Sequence, residues 1–390
     1  MTAETTSGAR AFHIDVPEAV LEDLRDRLTR TRFPGEVAGC GWTYGTNLDY
    51  LKRLVQHWVD EYDWRAAEAS LNRLPQYVAP VDGLELHFVH AHGKGPAPLP
   101  LLISHGWPGS FFEMADIIGP LSDPAAHGGD SEDAFDVVVP SLPGYGFSQQ
   151  PDRPGMTPSA VGDLFVSLMR DTLGYRRFAV QGGDWGAVIT ASMAHAHPDA
   201  ITGLHLNMLG VRPFTGPGTP ELTDEEKDFI KEAEAWRQEE TGYQWIQGTR
   251  PQTLAYGLTD SPAGLAAWIV EKFRAWSDCE GDVERSFTKD QLLTNIMIYW
   301  VSGCINSSMR LYYESRHNPW MLKPGERIEV PAGYAAFPHE LTRPPRSWAE
   351  RALNIQRWTP MPRGGHFAAM EEPELLVEDI RAFFRPLRGT

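Results

Sequence analysis

The run Gly182-Gly183-Asp184-Trp185-Gly186 constrains this chain more than any other feature. It follows the apolar stretch Phe178-Ala179-Val180 and opens the helix-like stretch Ala187-Val188-Ile189-Thr190-Ala191. A strand, a sharp turn and a helix, with small residues two places before and two after the centre, make a nucleophile elbow. Such elbows normally carry serine, but here the centre is Asp184. A carboxylate is ionised at neutral pH and needs no base to deprotonate it. It attacks an alkyl carbon through oxygen and leaves an ester that must then be hydrolysed. The chemistry implied is displacement at a strained or activated sp³ carbon, either an epoxide or a carbon–halogen bond.

The chain around the elbow reads as a mostly parallel α/β sheet. From residue 99 strands and helices alternate: Leu101-Leu102-Ile103, a helix over Phe111 to Leu121, then Phe135-Asp136-Val137-Val138-Val139. Thr157-Pro158 caps a helix running to about Leu173, where Gly174 stops it. Leu204-His205-Leu206-Asn207-Met208 is the next strand. Alternation of this kind predicts a sheet covered on both faces. The rhythm breaks at 211–322, a region rich in helix formers that holds six of the 13 Trp. It reads as a helical lid over the carboxyl edge of the sheet, where ligands of open α/β sheets bind. The core resumes over 323–390, with strands at Arg327-Ile328-Glu329-Val330 and Asn354-Ile355-Gln356-Arg357-Trp358. Residues 1–95 form a separate lead-in of two amphipathic helices and a strand pair around Asp82-Gly83, and 96–210 form the first part of the core.

Composition excludes several classes. A formal charge of −17 argues against nucleic acid and anionic membrane as partners. The first 30 residues hold no signal peptide and no apolar run of the roughly 18 residues a membrane span needs. Cys40, Cys279 and Cys304 are too far apart for a disulfide framework or a zinc site, so a reducing cytoplasmic setting is expected. The sequence allows a homodimer and implies no cofactor.

Four further groups carry the chemistry. His366, in Arg363-Gly364-Gly365-His366-Phe367, follows the last strand and can take a proton from water. Glu340, in Phe337-Pro338-His339-Glu340-Leu341, is placed to accept the second ring N–H of His366, with Glu326 and Glu329 as weaker rivals. Nucleophile, acid and His in that chain order are the order of α/β-hydrolases. The loop Ser104-His105-Gly106-Trp107-Pro108-Gly109 is the candidate oxyanion loop. The main-chain N–H groups of Trp107 and Trp185 are its expected donors, with His105 as a supporting turn residue. An epoxide also needs an acid for its departing oxygen, and tyrosine suits that task. Tyr243, Tyr256, Tyr299, Tyr312 and Tyr313 are available, and spacing does not choose among them. His87, His90 and His92 lack an acidic partner for a metal, Pro143 to Ser148 lacks the Lys of a phosphate loop, and His195 and His197 share no helix face.

Taken together these motifs resemble the microsomal-type epoxide hydrolases, and the likeness runs from Phe12-His13-Ile14 to the end of the chain. It implies an α/β-hydrolase fold and an ester mechanism with Asp184 as nucleophile. It supports Glu340 as acid and His366, in Gly364-Gly365-His366-Phe367-Ala368-Ala369, as base. The segments Gly242-Tyr243-Gln244-Trp245 and Arg310-Leu311-Tyr312-Tyr313-Glu314 resemble those carrying the family's ring-opening tyrosines, which points to Tyr243 and to Tyr312 or its neighbour Tyr313. Membrane-bound members carry an N-terminal anchor that this sequence does not show, and the stretch around Asp278-Cys279-Glu280-Gly281 is shorter than theirs. The expected reaction is epoxide to vicinal diol with water, without metal or cofactor, in secondary metabolism or detoxification. The aromatic lid predicts a preference for aryl epoxides. The rivals are a haloalkane dehalogenase, which shares an Asp elbow followed by Trp, and a non-catalytic binder of apolar ligands.

Overall fold

A computed structural model describes residues 8–389; the first seven residues of the lead-in and Thr390 lie outside the described residues. Among the described residues nine strands form one sheet: β1 (Arg10–Ala11), β2 (Gln76–Val81), β3 (Leu84–Ala91), β4 (Leu99–Ser104), β5 (Phe135–Pro140), β6 (Phe178–Gly182), β7 (Ile201–Leu206), β8 (Ile328–Ala336) and β9 (Leu353–Pro360). Their order across the sheet is β1-β2-β3-β5-β4-β6-β7-β8-β9. The pairs β1/β2, β2/β3 and β3/β5 are antiparallel, and every later pair is parallel. The β2–β3 hairpin turns on Asp82 and Gly83, both at positive φ (45° and 85°), as a two-residue turn of this hand requires. The central strands β6 and β7 are buried along their whole length, which is why they read as near-continuous apolar runs.

Helices cover both faces. Thr157 caps Pro158–Ser167 by accepting from the Ala160 N–H at 3.2 Å. That helix continues as a wider π turn over Leu168–Thr172 and ends at Gly174, whose φ is 78°. The C-terminal helix Pro373–Phe384 is tied to the sheet through buried Asp379, which accepts from His205 on β7 and from Arg357 and Thr359 on β9. Burial disfavours the Asp379 carboxylate, but His205 and the other donors hold its pKa below the usual range.

Six helices lie between β7 and β8: Asp224–Glu240, Gly242–Gln247, Pro251–Asp260, Pro262–Trp276, Lys289–Ser302 and Ile305–His317. Thr223 with Glu226, and Thr288 with Gln291, close capping boxes at the first and fifth. The N-terminal helices Glu18–Thr29, Leu48–Asp60 and Trp64–Leu71 pack alongside. Glu68 accepts from the Val16 N–H at 2.8 Å and Asn72 from the Ile14 N–H at 2.8 Å, which pins the segment between β1 and the first helix. Arg27–Asp260 and His57–Asp290, both at 2.7 Å, link these helices to the six-helix region. The strand order has one consequence for chemistry. Ser104 on β4 pairs with Gly182 on β6, so the loops that follow these strands leave the sheet side by side.

Candidate active site

Asp184 sits where β6 gives way to the helix Asp184–Ala196, with φ 47°. An L-residue adopts this left-handed backbone only when its surroundings impose it. The imposing contacts are close backbone approaches. A Cβ on Gly186 would fall 1.9 Å from the Ser104 carbonyl oxygen, and one on Gly182 would fall 2.3 Å from the Gly186 carbonyl oxygen. Glycine at these two positions lets the turn close and presents the Asp184 carboxylate. The Trp107 N–H donates to Asp184 Oδ1 at 2.8 Å. Trp185 stands in the first turn of the helix, where main-chain N–H groups have no partner within the helix. Gly106 must also lack a side chain, since its Cβ would lie 2.2 Å from Asp184 Oδ1.

The Trp107 loop is held from the six-helix region. Asn295 Nδ2 donates to the Pro108 carbonyl and the Tyr299 hydroxyl to the Gly109 carbonyl, each at 2.7 Å. Both come from Lys289–Ser302, one helical turn apart. Tyr299 is thus engaged in fixing a loop. His105 has a supporting place as well: it is buried, its Nε2 accepts from the Leu142 N–H at 3.2 Å, and burial lowers its pKa to about 4.

Glu340 and His366 meet because β8 and β9 are parallel neighbours whose following loops stay paired through a bridge between His339 and Gly365. His366 Nδ1 donates to Glu340 Oε1 at 2.6 Å, and His366 Nε2 lies 3.4 Å from Asp184 Oδ2. The ring is 4 % exposed. Burial alone would disfavour its protonated form. The charges of Glu340 and Asp184 and the hydrogen bonds to both outweigh that and raise the His366 pKa well above its ordinary value. Glu326 and Glu329 do not reach this ring: Glu326 lies 3.5 Å from His195, and Glu329 is exposed on β8.

Two tyrosines stand near Asp184. The Tyr243 ring stacks on Trp107 with centroids 5.2 Å apart, and the Tyr312 ring meets Trp185 edge-on at 4.7 Å. The two phenol rings are 5.7 Å apart. Burial, with the Asp184 charge behind it, raises the pKa of Tyr243, so it stays protonated. Tyr312 is raised too, by burial and then by Tyr243 and Asp184. Tyr313, the alternative to Tyr312, is 38 % exposed and stacks on His317. Tyr256 is exposed, and Tyr145 donates to the Ser308 carbonyl. Of the tryptophans between β7 and β8, Trp276 packs against Tyr243 and His366, both at 5.2 Å, while Trp245 is exposed and Trp320 lies on His195.

Two carboxyls near this site carried no signal in the sequence. Burial pushes Glu113 up to about 8; His366 opposes the shift, and Asp184, Glu340 and Glu371 add to it. Glu371 accepts from the Asp278 and Phe367 N–H groups, and burial raises it to about 7. Glu113 follows a capping Ser110 and reads as a solvated helix residue. It is half-buried with its carboxyl packed against Gly109, where a Cβ would fall 2.0 Å from Glu113 Oε2. Elsewhere, His90 and His92 are ring neighbours at 4.3 Å, and His90 bonds to the Tyr175 hydroxyl. Among the described residues no cluster of three or more His, Cys, Asp or Glu is arranged to hold a metal, and no helix is long and apolar enough to cross a membrane.

The Asp184 charge is one cause of the raised His366 pKa, so neutralising it should lower that pKa. Titrating the His366 ring by NMR in Asp184→Asn should show a fall from the parent value; an unchanged pKa would mean the two groups are not coupled.

Comparison with known proteins gives a single picture. Residues 9–114 match the family described as epoxide hydrolase N terminus, and residues 100–261 match the alpha/beta hydrolase fold. Epoxide hydrolase 1 of Oryctolagus cuniculus is 40 % identical over 401 residues, covering 96 % of this chain and 88 % of that protein. The crystal structure of juvenile hormone epoxide hydrolase from the silkworm Bombyx mori superposes with a TM-score of 0.87 at 32 % identity, covering 98 % of this chain and 96 % of that one. The structure of Aspergillus niger epoxide hydrolase gives 0.86 at 29 % identity and covers 99 % of both chains.

Proposed function

The chain belongs to the epoxide hydrolase family, and on that premise we propose that it converts an epoxide to a vicinal diol through an ester on Asp184. The observation that carries this reading is the placement of Asp184 between His366 Nε2 at 3.4 Å and the Trp107 N–H at 2.8 Å, with two buried phenols beside it. Asp184 attacks a ring carbon, the C–O bond breaks, and the oxygen takes a proton from a tyrosine. Ester formation removes the Asp184 charge, and with it one cause of the raised His366 pKa. The imidazolium then gives up its proton, which restores the phenol through solvent. Neutral His366, oriented by Glu340, takes a proton from water as hydroxide adds to the ester carbonyl. The N–H groups of Trp107 and Trp185 stabilise the oxyanion, and its collapse releases the diol and regenerates both ions. The binding wall of Trp107, Trp185, Tyr243, Trp276 and Tyr312 favours an aryl-substituted epoxide. Cytoplasmic placement and a role in detoxification or secondary metabolism fit this reading.

Two tyrosines on one oxygen should back each other up. Tyr243→Phe and Tyr312→Phe are each expected to slow ester formation, and the pair together to cost more than either, in the range of about 10²–10⁴-fold for a general acid. Stopped-flow tryptophan fluorescence reads the step. Tyr313→Phe should behave like the parent; a crippled Tyr313→Phe with a normal Tyr312→Phe would reverse the assignment.

Dehalogenation is the second reading, and the observation favouring it is the buried Trp107 indole N–H, which has no hydrogen-bond partner and could face a halide. Diol formation from styrene oxide and 1,2-epoxybutane, measured beside chloride release from 1-chlorobutane, separates the two. Diol without chloride, and faster from styrene oxide, is expected. Chloride without diol would overturn the reading.

A further inference from the structure

Lys272 is the buried cation nearest in kind to a functional group that the mechanism above leaves unused. It lies on Pro262–Trp276 and is 8 % exposed. Its Nζ sits over the Tyr243 ring, 5.0 Å from the centroid, and 5.6 Å from the centroid of Trp276. Two carboxylates flank it, Glu271 at 2.6 Å and Glu240 at 3.7 Å. Lysine is seldom buried, and its ammonium here rests on an aromatic face. Among the described residues no such cation lies over the Tyr312 ring, whose aromatic neighbours are Trp107, Trp185 and Tyr243.

We propose that Lys272 is a positioning residue that makes Tyr243, rather than Tyr312, the phenol that passes its proton to the opening epoxide. The inference rests on the ring-opening role given to Tyr243 above. In the step, Asp184 Oδ bonds to a ring carbon and the C–O pair moves to oxygen. That oxygen takes the Tyr243 proton and leaves negative charge on the phenol. Glu240 opposes this charge through space, while the Asp184 charge is lost to the ester. The Lys272 ammonium, held off bulk water by the lid, stabilises it, and electrostatics at such a site are screened far less than in solvent. Tyr312 then holds the oxygen by a hydrogen bond and keeps its own proton. The same cation fixes the ring of Tyr243, whose hydroxyl accepts from Gln244 at 2.9 Å.

The test is a double-mutant cycle on the rate of ester formation with styrene oxide, read in single turnover on the full chain. Lys272→Met should slow that step about tenfold, the scale of a desolvated cation–π contact. The loss should persist in Tyr312→Phe and vanish in Tyr243→Phe, while ester hydrolysis stays unchanged. Lys272→Arg should recover most of the rate. Glu240→Gln removes an opposing charge at a partly exposed site and keeps the question open to test if Lys272→Met folds poorly. It should speed ester formation about twofold, and only where Tyr243 is present. A Lys272→Met loss of equal size in the Tyr243→Phe background, or no loss in the parent, would overturn the proposal. A Tyr243→Phe variant with parental ester formation would instead overturn the role of Tyr243 itself.

Discussion

His366→Gln is expected to form the Asp184 ester at close to the parental rate and then stall. The first step needs the carboxylate, the oxyanion loop and the tyrosines, none of which the substitution removes. The second step needs a base, and a glutamine amide cannot take a proton from water. A positioned general base contributes about 10²–10⁴-fold, so hydrolysis should slow by at least that much. Intact-mass measurement after mixing with styrene oxide should show the protein plus one substrate mass, persisting long after the parent has cleared it. Steady turnover without a trapped adduct would show that another group activates the water. Glu371 is a poor substitute, because it is committed to two main-chain N–H groups.

Asp184→Ala should have the largest effect of all. Removing the nucleophile of a covalent catalyst costs on the order of 10⁶ in kcat. Among the described residues no other carboxylate shares the Trp107 N–H or the approach set by the elbow, so diol formation should fall to background. The fold should survive, because alanine removes a side chain but leaves the glycines that close the turn. A circular dichroism spectrum matching the parent, together with lost turnover, is the expected outcome.

The sequence disclosed the parts of this molecule that depend on near neighbours in the chain. The elbow was legible because its geometry needs glycine at 182 and 186, where an added Cβ would fall about 2 Å from the Ser104 and Gly186 carbonyl oxygens. The parallel sheet was legible from apolar runs buried on both faces. Its antiparallel edge was only half visible, since β1 is two residues long and carries no periodicity. The strand read at Arg327–Val330 extends to Ala336, because Pro331 and the small residues after it conceal the pattern. That Tyr312 rather than Tyr313 faces Trp185 follows from how Ile305–His317 packs, which the sequence does not mark. Glu113 and Lys272 were not legible at all. Their places follow from an absent side chain at Gly109 and from the approach of the helices Gly242–Gln247 and Pro262–Trp276, neither of which leaves a local mark.

The central claim is that water attacks the ester carbonyl of Asp184 and never the epoxide carbon. A single turnover in ¹⁸O-water, with enzyme in excess over styrene oxide, tests it directly. Both oxygens of the first diol then come from the epoxide and from Asp184, so that diol should carry no label. Mass spectrometry of the peptide containing Asp184 should show one ¹⁸O. Label in the first diol, with an unlabelled Asp184 peptide, would contradict the account.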